Sequence, residues 1–462
     1  MTDWPKPIPP KPTPRAPRVS LWEYLRLFRR DILSAQPQRL YHAWMAEFRT
    51  LFFRSYMIND PALIARVLTE APDLFPKSNR IREGLAPLLG NSVFVTNGEE
   101  WKRQRRIIDP AFEGGRLRDT FPAMLAAGQA AVARMGAGID AGEMEIEAVT
   151  SHLAADVIFR TLFSIPIEDE TAWAVFSEFK VYQRSQPLLN LAAFIPLPKW
   201  LPNSIRRAHR RETLTSARKI RALITQLTHA RADAIAAARA PNDLATKIMT
   251  TIDPVTGQGF APDEMVDQVA IFFLAGHETS ASALAWGLYL LALYPDIQTQ
   301  IAAEAATLGD APTFSDLSKL RLTRDVFRET LRLYPPVPMM VRQNVQKETF
   351  RERIVRRGAQ IVISPWHLHR HERLWANPDA FDPARWARAE TKASQHSAYL
   401  PFSAGPRVCT WAGFAMAEGV LLLALMARAF VFTPLPNRPP VPVAHLTVRG
   451  RDGIWLDVRP RA

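Results

Sequence analysis

The chain has 462 residues, 47% hydrophobic and 22% charged, which excludes a disordered chain and leaves length for a large core with a cavity. Its single cysteine excludes an intramolecular disulfide and any zinc or iron–sulfur site that needs several thiolates. Lys and Arg number 58 against 45 Asp and Glu, a net charge of +13 that favours an anionic partner, but the basic residues are scattered and a solvated helix face explains each cluster better than a nucleic-acid site.

In chain order, Met1 to Ser20 repeats Pro with Lys and Arg, so an extended or disordered arm is expected before one domain over 21–462. The arm lacks an apolar stretch and reads as neither signal peptide nor anchor. The longest apolar run, Val420 to Ala427, is too short to span a bilayer, so no transmembrane segment and a cytoplasmic protein are expected.

Phe53 to Ile58 has strand character, and Pro61 to Glu70 reads as a short helix. Helical spacing follows over Glu99–Ile108, Leu117–Met135, Glu147–Phe163, Ala172–Arg184 and Ser204–Ala240. The clearest helix is Pro262 to Tyr294, with Pro262 first, Asp263 and Glu264 at the positive dipole end, and Pro295 as its stop. It would be about 50 Å long, and its nearly uncharged middle must be buried. Another helix covers Leu320–Tyr334. Gln360–Ser364 and Thr447–Val458, with a turn at Gly450 and Gly453, read as strands. The fold class is mainly α with small β-sheets. Ser364 to Ser403 has little regular pattern, and such stretches inside compact domains are usually functional.

Four features carry chemistry, each beside a blander explanation. Phe402-Ser-Ala-Gly405-Pro-Arg407-Val-Cys409 presents a thiol just before an apolar helix, Gly413–Phe430, whose dipole favours the thiolate. One thiolate suits haem iron, because a porphyrin supplies four further ligands; a lone cysteine is otherwise a small buried hydrophobe. Ala275-Gly276-His277-Glu278-Thr279-Ser280 puts charge into the middle of the buried helix, where Thr279 can bond back and Gly276 can let a ligand approach; a kink with a paired Glu is the alternative. Glu329 and Arg332 share a helix face, as do Trp101 and Arg105, and both pairs have solvated-surface explanations.

Together, and in this order with Phe381-Asp-Pro-Ala-Arg385-Trp386 before the Cys loop, these motifs resemble the cytochrome P-450 monooxygenases over Leu21 to the C-terminus. The resemblance implies the fold of that family, with haem b between the long helix and the Cys-loop helix. Cys409 would be the metal ligand, Trp101, Arg105, Arg342 and Arg407 would hold the haem propionates, and Phe402, Gly405, Ala275 and Gly276 would complete the cofactor site. Thr279 and Glu278 would be the catalytic pair managing protons at O₂. Glu329, Arg332 and Arg385 would pin the loop before the Cys, with the segment around His369 leading to it.

The family usually has Gly two residues after the Cys, where this chain has Trp411, which is expected to tilt the Cys helix or alter access to the proximal face. By resemblance, O₂ is co-substrate and one oxygen atom enters a small hydrophobic substrate. NAD(P)H serves indirectly through a separate ferredoxin- or flavodoxin-type electron donor, which Lys102, Arg103 and Arg106 could steer. Phe75–Val95 and the apolar Gln186–Trp200 correspond to the access region. The rivals are a haem-thiolate isomerase or peroxygenase, which commonly lacks the distal Thr, and a non-catalytic haem- or nucleic-acid-binding protein.

Overall fold

The long apolar run in the middle of the sequence folds as one helix, Pro262–Leu293, in a computed structural model that describes residues 7–49, 54–113, 115–138, 142–185, 203–444 and 446–461. Pro262 takes the first helical position and the Glu264 carboxylate accepts the free Ala261 N–H at 2.8 Å. The helix is apolar on every side because it is buried on every side, by the helices Ile146–Phe163, Asn203–Ala236, Arg321–Leu333 and Ala412–Ala429.

Two core clusters meet on this central helix. Met265 to Leu274 belongs to one, with Phe159, Phe179 and Ile220; Ala283 to Ala292 belongs to the other, with Phe121, Phe327 and Leu421 to Ala427. The stretch between them, Ala275 to Ser282, belongs to neither. The helix that follows the cysteine, Ala412–Ala429, is among the described residues the one helix long and apolar enough to cross a bilayer, but Leu421 to Ala427 are buried in the protein core.

Small sheets flank the helices. In the four-stranded sheet, Met45–Arg49 pairs antiparallel with Arg54–Ile58, which pairs in parallel with Gln360–Ile363, which pairs antiparallel with Met340–Gln343. This register brings Arg342 opposite Ile361 and Tyr56 opposite the same residue. The segment read as strands over Thr447–Val458 divides between two sheets. Val448–Gly450 pairs with Pro442–Ala444, and Trp455–Pro460 pairs with Phe430–Pro434 and Glu143–Glu145.

Pro295 does more than end the central helix: it opens a second one, Pro295–Ala306, because a proline that cannot continue one helix suits the first position of the next. The described part of the Pro-rich arm is extended and docked. Tyr334 Oη donates to the Pro10 carbonyl at 2.8 Å, Tyr294 Oη donates to that of Pro7, and Lys11 pairs with Asp379. A proline has no N–H to offer but keeps its carbonyl as an acceptor.

Candidate active site

The cysteine loop is shaped by two close approaches. Cys409 N–H donates to the Phe402 carbonyl at 2.9 Å, closing the loop on itself. Gly405 has φ +69°, and a Cβ there would stand 1.9 Å from the carbonyl oxygen of Leu68, so only glycine fits. Arg105 and Lys77 favour the Cys409 thiolate, against a burial effect that pushes the thiol upward. The sulfur itself stays exposed, so a metal cation placed at it would favour the thiolate.

Opposite this loop, across a cavity of about 320 Å³, stand Ala275, Gly276, Thr279 and Ser280 of the central helix. Thr279 Oγ1 donates to the Ala275 carbonyl at 2.5 Å, the back-bond expected from its sequence context. Gly276 lines the cavity and also has a packing reason, since a Cβ would meet Ile158 Cδ1 at 2.5 Å. Glu278 does not share the cavity with Thr279, because neighbours on a helix point about 100° apart. Its carboxylate turns to the C-terminal strands, pairing with Arg449 at 2.9 Å and accepting from Thr447 Oγ1 at 3.1 Å. Arg449 is about a third exposed, so this ion pair connects the buried helix with solvent.

One side of the cavity is cationic. Among the described residues the Arg342 guanidinium bonds only its own neighbour's carbonyl, Val341 O, at 3.3 Å; Arg407 donates to Thr96 O at 3.2 Å and Asn97 Oδ1 at 2.8 Å. Burial lowers both guanidiniums to about 10. The sequence reading missed Lys77, which lies 3.7 Å from the Phe94 ring centroid and is driven well below its usual range by burial and by Arg342, Arg407 and Arg105. No local pattern marks Lys77; a bridge to Arg342 and the bond from its N–H to Asn97 Oδ1 place it. Among the described residues none of Lys77, Arg342 and Arg407 pairs with an acid. Arg105 differs: it bonds Asp109 at 2.9 Å and the Val408 carbonyl at 2.8 Å, tying its helix to the cysteine loop. Trp101, buried beside them, supports Arg407 at 4.1 Å from its ring.

The segment Ser364–Ser403 is held by a buried charge network. Glu329 accepts from Arg332 at 2.8 and 3.0 Å and from Arg385 at 2.9 Å. Arg332 then donates to the carbonyls of His369, Pro378 and Ala380, and Arg385 to that of Ala376. His369 Nε2 accepts from Leu400 N–H at 2.8 Å, two residues before Phe402. A third buried acid, Glu418, faces the cavity, accepts from Ser280 Oγ at 2.6 Å, and is pushed up to about 8 by burial.

The model of the family Cytochrome P450 matches residues 31–454. The chain belongs to that family. This P450 is 31% identical over 404 residues to the cyclooctat-9-en-7-ol 5-monooxygenase of Streptomyces melanosporofaciens, covering 86% of this chain and 84% of that protein. It is 27% identical over 439 residues to a cytokinin hydroxylase of Arabidopsis thaliana, covering 91% and 83%. Its fold matches the crystal structure of the cytochrome P450DA heme domain with a TM-score of 0.81 at 23% identity, over 98% of both chains. This P450 is thus a haem enzyme and an oxidoreductase of the monooxygenase class. The residues present fit haem b: cations without acid partners, buried at Arg342 and half-buried at Lys77 and Arg407, suit its two propionates, and a sulfur open to the cavity suits its iron.

Proposed function

We propose that this P450 inserts one oxygen atom of O₂ into an uncharged hydrophobic substrate, with haem b held through Cys409. One observation carries the reading: the sole cysteine faces Thr279 across a single cavity that has acid-free cations along one side. Haem b, when bound, supplies the iron at which O₂ is reduced and split. Lys77, Arg342 and Arg407 would hold its propionates, and Arg105 with Trp101 would set the loop and the ring beneath them.

Thr279 holds a hydroxyl proton at the cavity, where it can orient water. Glu278 is the acid nearest in sequence, and its ion pair with Arg449 provides an exchange route to solvent. Remaining walls are apolar, through Ile81, Val93, Phe94, Ile271, Val337 and Met340, which suits a substrate without an ionised group. The relative named for cyclooctat-9-en-7-ol supports that choice. The access segment Gln186–Trp200 lies outside the described residues.

Electrons would come from a separate acidic donor of ferredoxin or flavodoxin type, a reading supported by the charge of +13. Of the steering residues expected beside Trp101, Lys102 pairs with Glu99, Arg103 with Glu264 and Arg106 with Asp253. The test is turnover of apolar compounds under isotopically labelled O₂ with a ferredoxin and its reductase. One labelled oxygen per product supports the reading; products without label, formed without reductant, overturn it in favour of an isomerase.

A further inference from the structure

Trp411 touches both walls of the cavity. Its backbone follows Cys409 by two residues on one wall, whereas its indole crosses to the central helix. There its ring centroid lies 5.7 Å from that of Phe272, and Cζ3 is 3.5 Å from where a Cβ of Gly276 would stand. Phe112 packs on it at 4.8 Å and Phe414 at 5.0 Å. The indole contacts both core clusters. The helix behind it forms without interruption from Ala412.

We propose that Trp411 is a positioning wedge that closes one edge of the haem slot and fixes the cysteine loop against the Gly276–Thr279 stretch. The proposal rests on the cavity being the haem slot. Its physical basis is complementary bulk. A residue without a side chain at 276 faces the largest side chain at 411, and Phe112 and Phe272 fill the remaining sides. Glycine at 411 would leave both walls without a contact at this edge. The slot would then open to water and the cysteine loop would be free to move from the opposing helix. Reduction adds negative charge to an iron–thiolate centre, and water favours the more charged state, so an opened edge shifts the midpoint potential upward.

The experiment uses the full-length holoprotein and the series Trp411→Phe, Trp411→Leu and Trp411→Gly. Haem transfer to excess apomyoglobin and the ferric–ferrous midpoint are measured for each. Haem loss is expected to quicken in the order Trp, Phe, Leu, Gly, reaching at least about tenfold for the smallest that yields holoprotein, with Phe near the parent. The midpoint should rise along the same series. A Phe variant that behaves like the Leu variant would assign the role to the buried indole N–H, which has no partner, and overturn the wedge. Equal haem loss and midpoint in Phe and Leu variants at the parental values would also overturn it. A parent protein that takes up no haem would instead defeat the reading of the cavity.

Discussion

The carbonyl oxygen of Leu68 stands 1.9 Å from where a Cβ of Gly405 would be, so the helical segment Arg66–Glu70 sets the height of the cysteine loop. A carbonyl cannot step aside as a flexible side chain can. Gly405→Ala must therefore displace the loop or that segment, in addition to about 1–2 kcal/mol for placing a side chain at positive φ. Haem bound per protein and the thermal midpoint should both fall. Unchanged values would show that the helical segment Arg66–Glu70 is free to move.

Cys409→Ala removes the only sulfur donor among the cysteines of the chain. The reduced protein under carbon monoxide should lose the red-shifted band of thiolate ligation. Retention of that band would rule out Cys409 as the axial ligand.

Thr279→Ala removes the one hydroxyl of the helix that is bonded to Ala275 O at the cavity. Product formed per O₂ consumed should drop by about 10²-fold, the lower end of what a positioned proton donor supplies, with peroxide in its place. The carbon monoxide band should stay. An unchanged yield per O₂ would remove Thr279 from the proton path.

Glu329→Gln leaves Arg332 and Arg385 buried without their counter-charge. Breaking a buried pair in this way costs about 3–5 kcal/mol. Urea unfolding should show the loss, and Arg332→Lys should not restore wild-type stability, since Lys cannot serve Glu329 and three carbonyls at once. A midpoint equal to the parent would mean that the network is not needed to hold the segment.

Glu418 gives a pH test with a definite sign. Its folded value, about 8, lies above its usual 4.5, so the folded protein keeps a proton that the unfolded chain has released. Stability from this group is complete below 4.5 and declines as pH rises toward 8, by at most about 1.4 kcal/mol per pH unit. Glu418→Gln still accepts from Ser280 and cannot ionise. Its thermal midpoint should fall less than that of the parent between pH 5 and 8, a window set by the same values. Parallel curves would show that Glu418 is charged in the fold.

How far the site could be read from sequence depended on whether its residues are local. The central helix, the cysteine loop and the Glu329 pair each announce themselves by spacing within a few residues, because helix periodicity and loop geometry are short-range. The sequence alone therefore determined the family, the mainly helical class and the cysteine opposite Thr279. It could not show Lys77 beside Arg342, Ser280 on Glu418, or Glu278 turned away to Arg449, since each joins segments far apart in the chain. Nor could it fix the direction of Trp411, which follows from a glycine on the facing helix. Proton affinity was likewise decided by the tertiary structure: burial by distant elements pushes Glu418 up to about 8. Desolvation belongs to the packed whole, and no short stretch of sequence encodes it.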